Sequence, residues 1–99
     1  MVKHMIIWKL KDFDTDEEKI AAAQRVKAGL EGLKGQIDGL EEIAVYIDIL
    51  PSSTGSMMLD STFTTEAALL AYRDNPKHVA VATYVRSVVQ ERLCVDYQM

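Results

Sequence analysis

Apolar and polar positions alternate from the start of the chain. Val2, His4, Ile6, Trp8 and Leu10 fall on one face of an extended segment, and Lys3, Met5, Ile7 and Lys9 on the other, which predicts a strand over Val2–Leu10 with an apolar centre on both faces. The period then changes. Ile20, Ala23, Val26, Leu30 and Leu33 recur at three- and four-residue steps. Thr15, with Glu18 three residues on and Asp14, Asp16 and Glu17 around it, makes a capping box with carboxylates that complement a helix dipole. An amphipathic helix of about five turns is predicted, with Gly35 as its C-cap. Glu41–Leu50 is rich in Ile, Val and Tyr and is closed by Pro51, so a second strand turns through the PSSTGS segment into a hairpin. Its partner is Met57–Phe63, where Met57, Leu59, Ser61 and Phe63 alternate with Met58, Asp60 and Thr62. Thr64 or Thr65 can cap a helix through Tyr72, and Asn75-Pro76 restarts one, because Asn caps well and Pro is tolerated at the first helical position. Arg92–Gln98 closes the pattern as a strand, with Leu93, Val95 and Tyr97 opposite Cys94 and Asp96.

The order strand, helix, strand, strand, helix, strand is the split βαβ arrangement. It predicts an α+β, ferredoxin-like βαββαβ protomer whose four-stranded antiparallel sheet carries its helices on one face. Met5, Ile7, Met58, Leu93, Val95 and Tyr97 are expected on the other face, an apolar patch too large for a comfortable monomer. The expected cover is the same face of a second copy, giving a homodimeric α/β barrel. At 99 residues, one domain spanning 1–99 is expected.

Composition narrows the partners. With 48% hydrophobic and 26% charged residues the chain has a globular balance, which excludes a disordered tail or a fibre. Eleven Lys+Arg against 15 Asp+Glu give a net charge of −4 without any long basic cluster, so neither nucleic acid nor an anionic membrane is an expected partner. No stretch approaches the ~20 apolar residues of a membrane span, and Met1–Asp12 lacks the form of a signal peptide; a cytoplasmic location is expected. The single cysteine, Cys94, forbids an internal disulfide and any Cys-based zinc site. Two histidines and Asp96 without an i, i+4 His pair do not form a metal-binding motif, so no metal is expected.

His78 is the most informative side chain. With Asn75 as cap and Pro76 as first helical residue it takes the third helical position, on a stripe with Val81, Ala82, Val85 and Val89 that faces the core. Positive potential at a helix start disfavours imidazolium, which leaves a neutral ring able to accept a proton. Asp96, on the last strand, shares a face with Cys94 and lies near His4 of the first strand; it is the candidate group to orient His78, and Tyr72 the candidate donor. The competing expectation is structural: a histidine at a helix start and a tyrosine on an apolar helix also serve as packed, hydrogen-bonded core groups.

The segments VKHMIIWKLK, STFTTEAALLAY, NPKHVAVA and CVDY, taken in order, resemble the stress-responsive A/B barrel domain (Dabb) family of dimeric α/β-barrel proteins. The resemblance implies a ferredoxin-like protomer and a barrel-forming homodimer. Similar plant members include a cofactor-free polyketide cyclase that works with a Tyr and a His beside an apolar pocket, a spacing matched here by Tyr72 and His78. Two departures stand out: Asn75 replaces the His that opens the corresponding motif in many relatives, and Ala22 and Ala23 replace bulky aromatics on the first helix. The expected site has His78, Tyr72 and Asp96 as catalytic groups and a lining of His4, Ile6, Trp8, Ala23, Val26, Met57, Leu59, Val81 and Cys94. Its expected ligand is a small apolar or carbonyl-containing molecule, taken up with or without acid–base chemistry. The alternatives are a non-enzymatic stress-response or interaction domain in which Tyr72 and His78 are structural, and a monooxygenase-like activity without a prosthetic group.

Overall fold

A computed structural model describes all 99 residues. The chain runs β1 (Val2–Leu10), α1 (Asp16–Glu31), β2 (Leu40–Tyr46), β3 (Met57–Phe63), α2 (Glu66–Asp74), α3 (Pro76–Val88) and β4 (Val89–Gln98). The strands form one antiparallel sheet in the order β2-β3-β1-β4. This is the expected ferredoxin-like α+β arrangement, its second helical region broken in two at Asn75.

β1 and β3 are the two inner strands, and the middle of β1 is apolar on both faces. β1 pairs with β3 from Val2↔Phe63 to Trp8↔Met57 and with β4 from Val2↔Gln98 to Leu10↔Val89. Val2, His4, Ile6, Trp8 and Leu10 are buried beneath the helices, together with Leu40, Ile43 and Val45 of β2 and Met57, Leu59, Ser61 and Phe63 of β3. α1 adds Ala22, Ala23, Val26 and Leu30, and is capped as its sequence predicts, the Glu18 amide donating to Thr15 Oγ1 at 3.1 Å. Along the edge strand β2, the Val45 amide donates to the Glu31 carboxylate at 2.9 Å and Lys27 Nζ donates to the Val45 carbonyl at 2.7 Å. These bonds occupy backbone groups that an open sheet edge leaves unpaired. Burial alone would raise the Glu31 carboxyl; the bonds from Lys27 and the Val45 amide outweigh it and hold the group below its ordinary value.

Several boundaries differ from the sequence expectation. α1 stops at Glu31 with Gly32 as its cap in right-handed conformation; Leu33 and Ile37 are buried from the turns that follow, and Gly35 lies beyond the helix end. Ile20, placed on the buried stripe by its spacing, is 55% exposed. It borders an open cleft shared with Ile47, Ile49 and Leu50 of the β2–β3 connection. β2 ends at Tyr46 rather than Leu50, because Tyr46 pairs with Met58 and β3 starts only one residue earlier. β4 starts at Val89 rather than Arg92, extended by its pairing with Leu10; Val89 therefore belongs to the strand and not to the His78 helix.

On the face away from the helices, Leu93 is 64% exposed and Val95 53%, with Ile7, Tyr46 and Tyr97 nearly half exposed beside them. Lys3 and Asp60 pair on that face at 2.8 Å. No helix is long and apolar enough to cross a membrane.

Two glycines have positive φ, Gly35 at 82° and Gly39 at 83°. A Cβ on Gly35 meets nothing within 4 Å, whereas one on Gly39 comes 2.5 Å from Ala68 Cβ of α2. Both alanine variants should therefore lose about 1 kcal/mol from the left-handed backbone. Gly39→Ala should lose a further ~1–3 kcal/mol from overpacking. Urea denaturation of the two variants measures the difference; equal losses would show that α2 moves aside without cost.

Candidate functional site

The break between α2 and α3 builds the site. Pro76 has no N–H to continue α2 and its ring would meet the carbonyl four residues back, so the helix ends and restarts. Asn75 serves both helices: its backbone amide donates to the Tyr72 carbonyl at 3.1 Å, and its side-chain oxygen accepts from the Lys77 amide at 2.9 Å. Tyr72 in the last turn of α2 and His78 in the first turn of α3 are thereby brought face to face, ring centroids 4.1 Å apart and planes inclined by 34°. Phe63 meets the Tyr72 ring edge-on at 4.9 Å, and His4 does so at 6.4 Å.

His78 Nδ1 lies 3.1 Å from the Arg73 carbonyl oxygen and can only donate to it. The neutral ring consequently carries its proton on Nδ1 and leaves Nε2 as an acceptor. Burial lowers the His78 pKa from its ordinary value; the positive potentials of His4, Arg86 and Arg92 act in the same direction, against the Arg73 carbonyl. Tyr72 is 1% exposed and its hydroxyl has no hydrogen-bond partner. The same burial pushes its phenol far above the ordinary tyrosine value, so it stays protonated and available as a donor.

Both residues open on a cavity of about 140 Å³ between sheet and helices. Its floor is His4, Ile6 and Trp8 of β1 with Leu59 of β3; Leu30 of α1 and Ala82, Val85 and Arg86 of α3 form its walls, with Val89 and Arg92 of β4. His4, Ile6, Trp8, Leu59, Tyr72 and His78 thus meet as their alternation and stripes predict.

The other expected lining residues are elsewhere. Ala23 lines the open cleft beside Ile20, about 380 Å³ in volume, because α1 crosses the sheet with that end over the β2–β3 connection. Val26 is fully buried in the core. Met57 is buried at the sheet end and borders a separate cleft with Ile49 and Met58. Val81 packs against α1, so close to Gly29 that a Cβ there would lie 2.9 Å from Val81 Cγ1. Cys94 and Asp96 form their own cluster. Asp96 hydrogen-bonds His4 Nδ1, not His78, because cross-strand register pairs His4 with Asp96 directly. Cys94 Sγ lies 3.5 Å from the same carboxylate and 3.7 Å from His4 Nδ1. Burial raises the Cys94 thiol and the neighbouring Asp96 raises it further, so it is a poor nucleophile. His4, Cys94 and Asp96 could offer three ligand atoms within 4.8 Å of one another to a divalent cation. They are otherwise joined by their own hydrogen bonds.

Six lining residues lie outside the expected set: Leu30, Ala82, Val85 and Val89, which the periodicity places only on core-facing stripes, and the charged Arg86 and Arg92. The signals exist: Arg86 stands four residues after Ala82 and eight after His78, and Arg92 alternates with Cys94 and Asp96. Charged residues at those spacings read as solvent-facing until the tertiary structure sets both at the rim of one cavity.

Fold and site together define a ferredoxin-like α+β protein with a small, mostly apolar cavity holding an imidazole and a phenol. The chain belongs to the stress responsive A/B barrel domain family, whose model matches residues 2–99. Among solved structures it is similar to a dimeric protein of unknown function with a ferredoxin-like fold from Bacteroides fragilis. That protein is 31% identical, with 99% of this chain and 95% of that one covered and a TM-score of 0.91. A Dabb family protein from Mesorhizobium loti is 23% identical over 99% of this chain and 95% of that one, with a TM-score of 0.74. Hydroxynitrile lyase from Passiflora edulis shares the fold at 15% identity, covering 97% of this chain and 90% of that one, with a TM-score of 0.73. No curated protein matches the chain.

The orphaned phenol makes a prediction about stability. Tyr72→Phe removes a buried hydroxyl that forms no bond, so it should stabilise the fold by about 1 kcal/mol. Thermal or urea denaturation measures this, and a clear loss of stability would mean that the hydroxyl has a structural partner. His78 makes another. Its folded pKa lies below the unfolded value near 6.5, so its contribution is complete above pH 6.5 and is lost as pH falls through that value towards the folded pKa. Nitrogen NMR should find the ring more than half neutral at pH 6.5, and His78→Gln should flatten the acid limb of stability against pH. An imidazole titrating at or above 6.5 would contradict this.

Proposed function

We propose that this protein binds a small carbonyl compound in the cavity between sheet and helices, and that His78 and Tyr72 act on it as base and donor without a cofactor. The observation that carries the reading is the buried, unpartnered Tyr72 hydroxyl beside the free acceptor nitrogen of His78. A polar group left unpaired in an apolar wall is costly in the empty protein and is satisfied by a ligand oxygen. In this reading His78 Nε2 takes a proton from the carbon beside the carbonyl. The C–H electron pair becomes the enolate, and the Tyr72 hydroxyl donates a hydrogen bond to its oxygen; His78 returns the proton to carbon or to a leaving group. Base and donor each contribute typically ~10²–10⁴-fold in rate. A cavity of about 140 Å³ suits a compact ketone or the reacting end of a longer chain.

The test needs no knowledge of the natural substrate. Cyclohexanone in deuterated buffer should exchange its α-protons at least ~100-fold faster with the protein than with buffer. His78→Ala should abolish the acceleration and Tyr72→Phe should reduce it. If the ketone binds but exchanges at the buffer rate, the reading reduces to a binding domain; if it neither binds nor exchanges, Tyr72 and His78 are structural.

We further propose that two copies pair through the exposed sheet face. The exposed Leu93, Val95, Tyr97 and Ile7 support this, as does the dimeric Bacteroides fragilis relative. Light scattering at micromolar concentration should give twice the chain mass of 11.1 kDa. Val95→Asp should yield monomer or unfolded chain, since an unpaired charge buried in such a contact costs several kcal/mol. A monodisperse parent monomer would overturn the pairing.

A further inference from the structure

The charge around the cavity specifies what kind of carbonyl compound it takes. The residues that line it include two arginines and two histidines and no carboxylate. Asp96, the nearest acid on the same strand face, is held by His4. Of the four arginines in the chain, Arg25 lies over the Tyr84 ring with its guanidinium carbon 3.8 Å from the centroid, and Arg73 pairs with Asp74. Arg86 and Arg92 are in no ion pair, although the chain carries a net charge of −4 and has acidic groups to spare. Arg86 stands in the last turn of α3, where a cation complements the helix dipole. Arg92 is on a strand, opposite Trp8 in the β1–β4 register, and has no such reason to be there.

Resting on the reading above, we infer that the ligand is an oxo acid: a ketone whose carboxylate is held at the cavity rim by Arg86 and Arg92 while its carbonyl reaches Tyr72 and His78. Arg86 and Arg92 come from two different elements, α3 and β4, and line the same cavity. Arginine suits this role because its planar donors match a carboxylate in pairs and it stays charged at any working pH. The buried phenol then takes the neutral, carbonyl end, so one molecule satisfies both the rim cations and the orphaned hydroxyl. A positive rim also favours the enolate form of the bound molecule.

Trp8, the only tryptophan, lines the cavity and supplies a fluorescence signal for binding. The probes are 4-oxopentanoate and hexan-2-one, methyl ketones of similar size that differ in the carboxylate. In the parent protein 4-oxopentanoate should bind at least tenfold more tightly, and the preference should shrink severalfold in 1 M salt because the rim is open to solvent. In the Arg86→Gln, Arg92→Gln double variant the preference should disappear, the 4-oxopentanoate affinity falling at least tenfold relative to that of hexan-2-one; Arg→Lys at both positions should restore part of it. Equal binding of the two probes by the parent overturns the oxo-acid inference and leaves the carbonyl reading standing. A preference that survives in the double variant overturns the assignment to these arginines. Failure of both probes to bind overturns the inference together with the reading on which it rests.

Discussion

The structure depends on a single strand being apolar on both faces. β1 is paired with β4 along its whole length and with β3 from Val2 to Trp8, so its inward residues become the floor of the cavity and its outward residues the centre of the exposed face. His4, Ile6 and Trp8 point one way, Met5 and Ile7 the other. A charged edge strand needs one covered face; a central strand of this kind needs two, and the chain has helices for only one of them. The site and the proposed partner surface are therefore two consequences of the same nine residues, and a change of register in β1 would exchange them.

A second constraint acts through one dipeptide. Asn75-Pro76 stops one helix and starts the next, and by doing so sets Tyr72 against His78 at a distance that a continuous helix could not produce for residues six apart. The cost of the arrangement is a phenol hydroxyl without a partner, buried among Phe63, His4 and His78. Structures keep such groups where something other than stability maintains them. Burial acts on the two neighbours in complementary ways. It keeps the imidazole neutral and the phenol protonated, which leaves one acceptor and one donor side by side over a single cavity.

Polar groups in the inner layer sort into two sets with separate tasks. His4, Cys94 and Asp96 satisfy one another across the β1–β4 pair and close one end of the core. His78, Tyr72, Arg86 and Arg92 leave acceptor, donor and cations unspent around the cavity. Their sorting follows from register: Asp96 stands opposite His4, and α3 holds His78 by the Arg73 carbonyl instead.

Periodicity alone determined the element order, the β3 limits, the cap at Thr15, the break at Asn75 and the inward set of β1, because each depends on residues a few positions apart and on the fixed repeats of helix and strand. Tyr72 and His78 were legible for the same reason, being placed by caps and stripes within one helical region. Tertiary structure decided what required distances between elements. Sequence spacing puts Ile20 on the buried stripe and Ala23 in the pocket, but the crossing of α1 over the sheet leaves one exposed and turns the other to a different cleft. It assigns Asp96 to His78, but cross-strand pairing assigns it to His4. Arg86 and Arg92 read as surface charges on separate elements until α3 and β4 meet at one rim. A chain's own periodicity records which way a residue faces; which other residue it faces is a property of the packing.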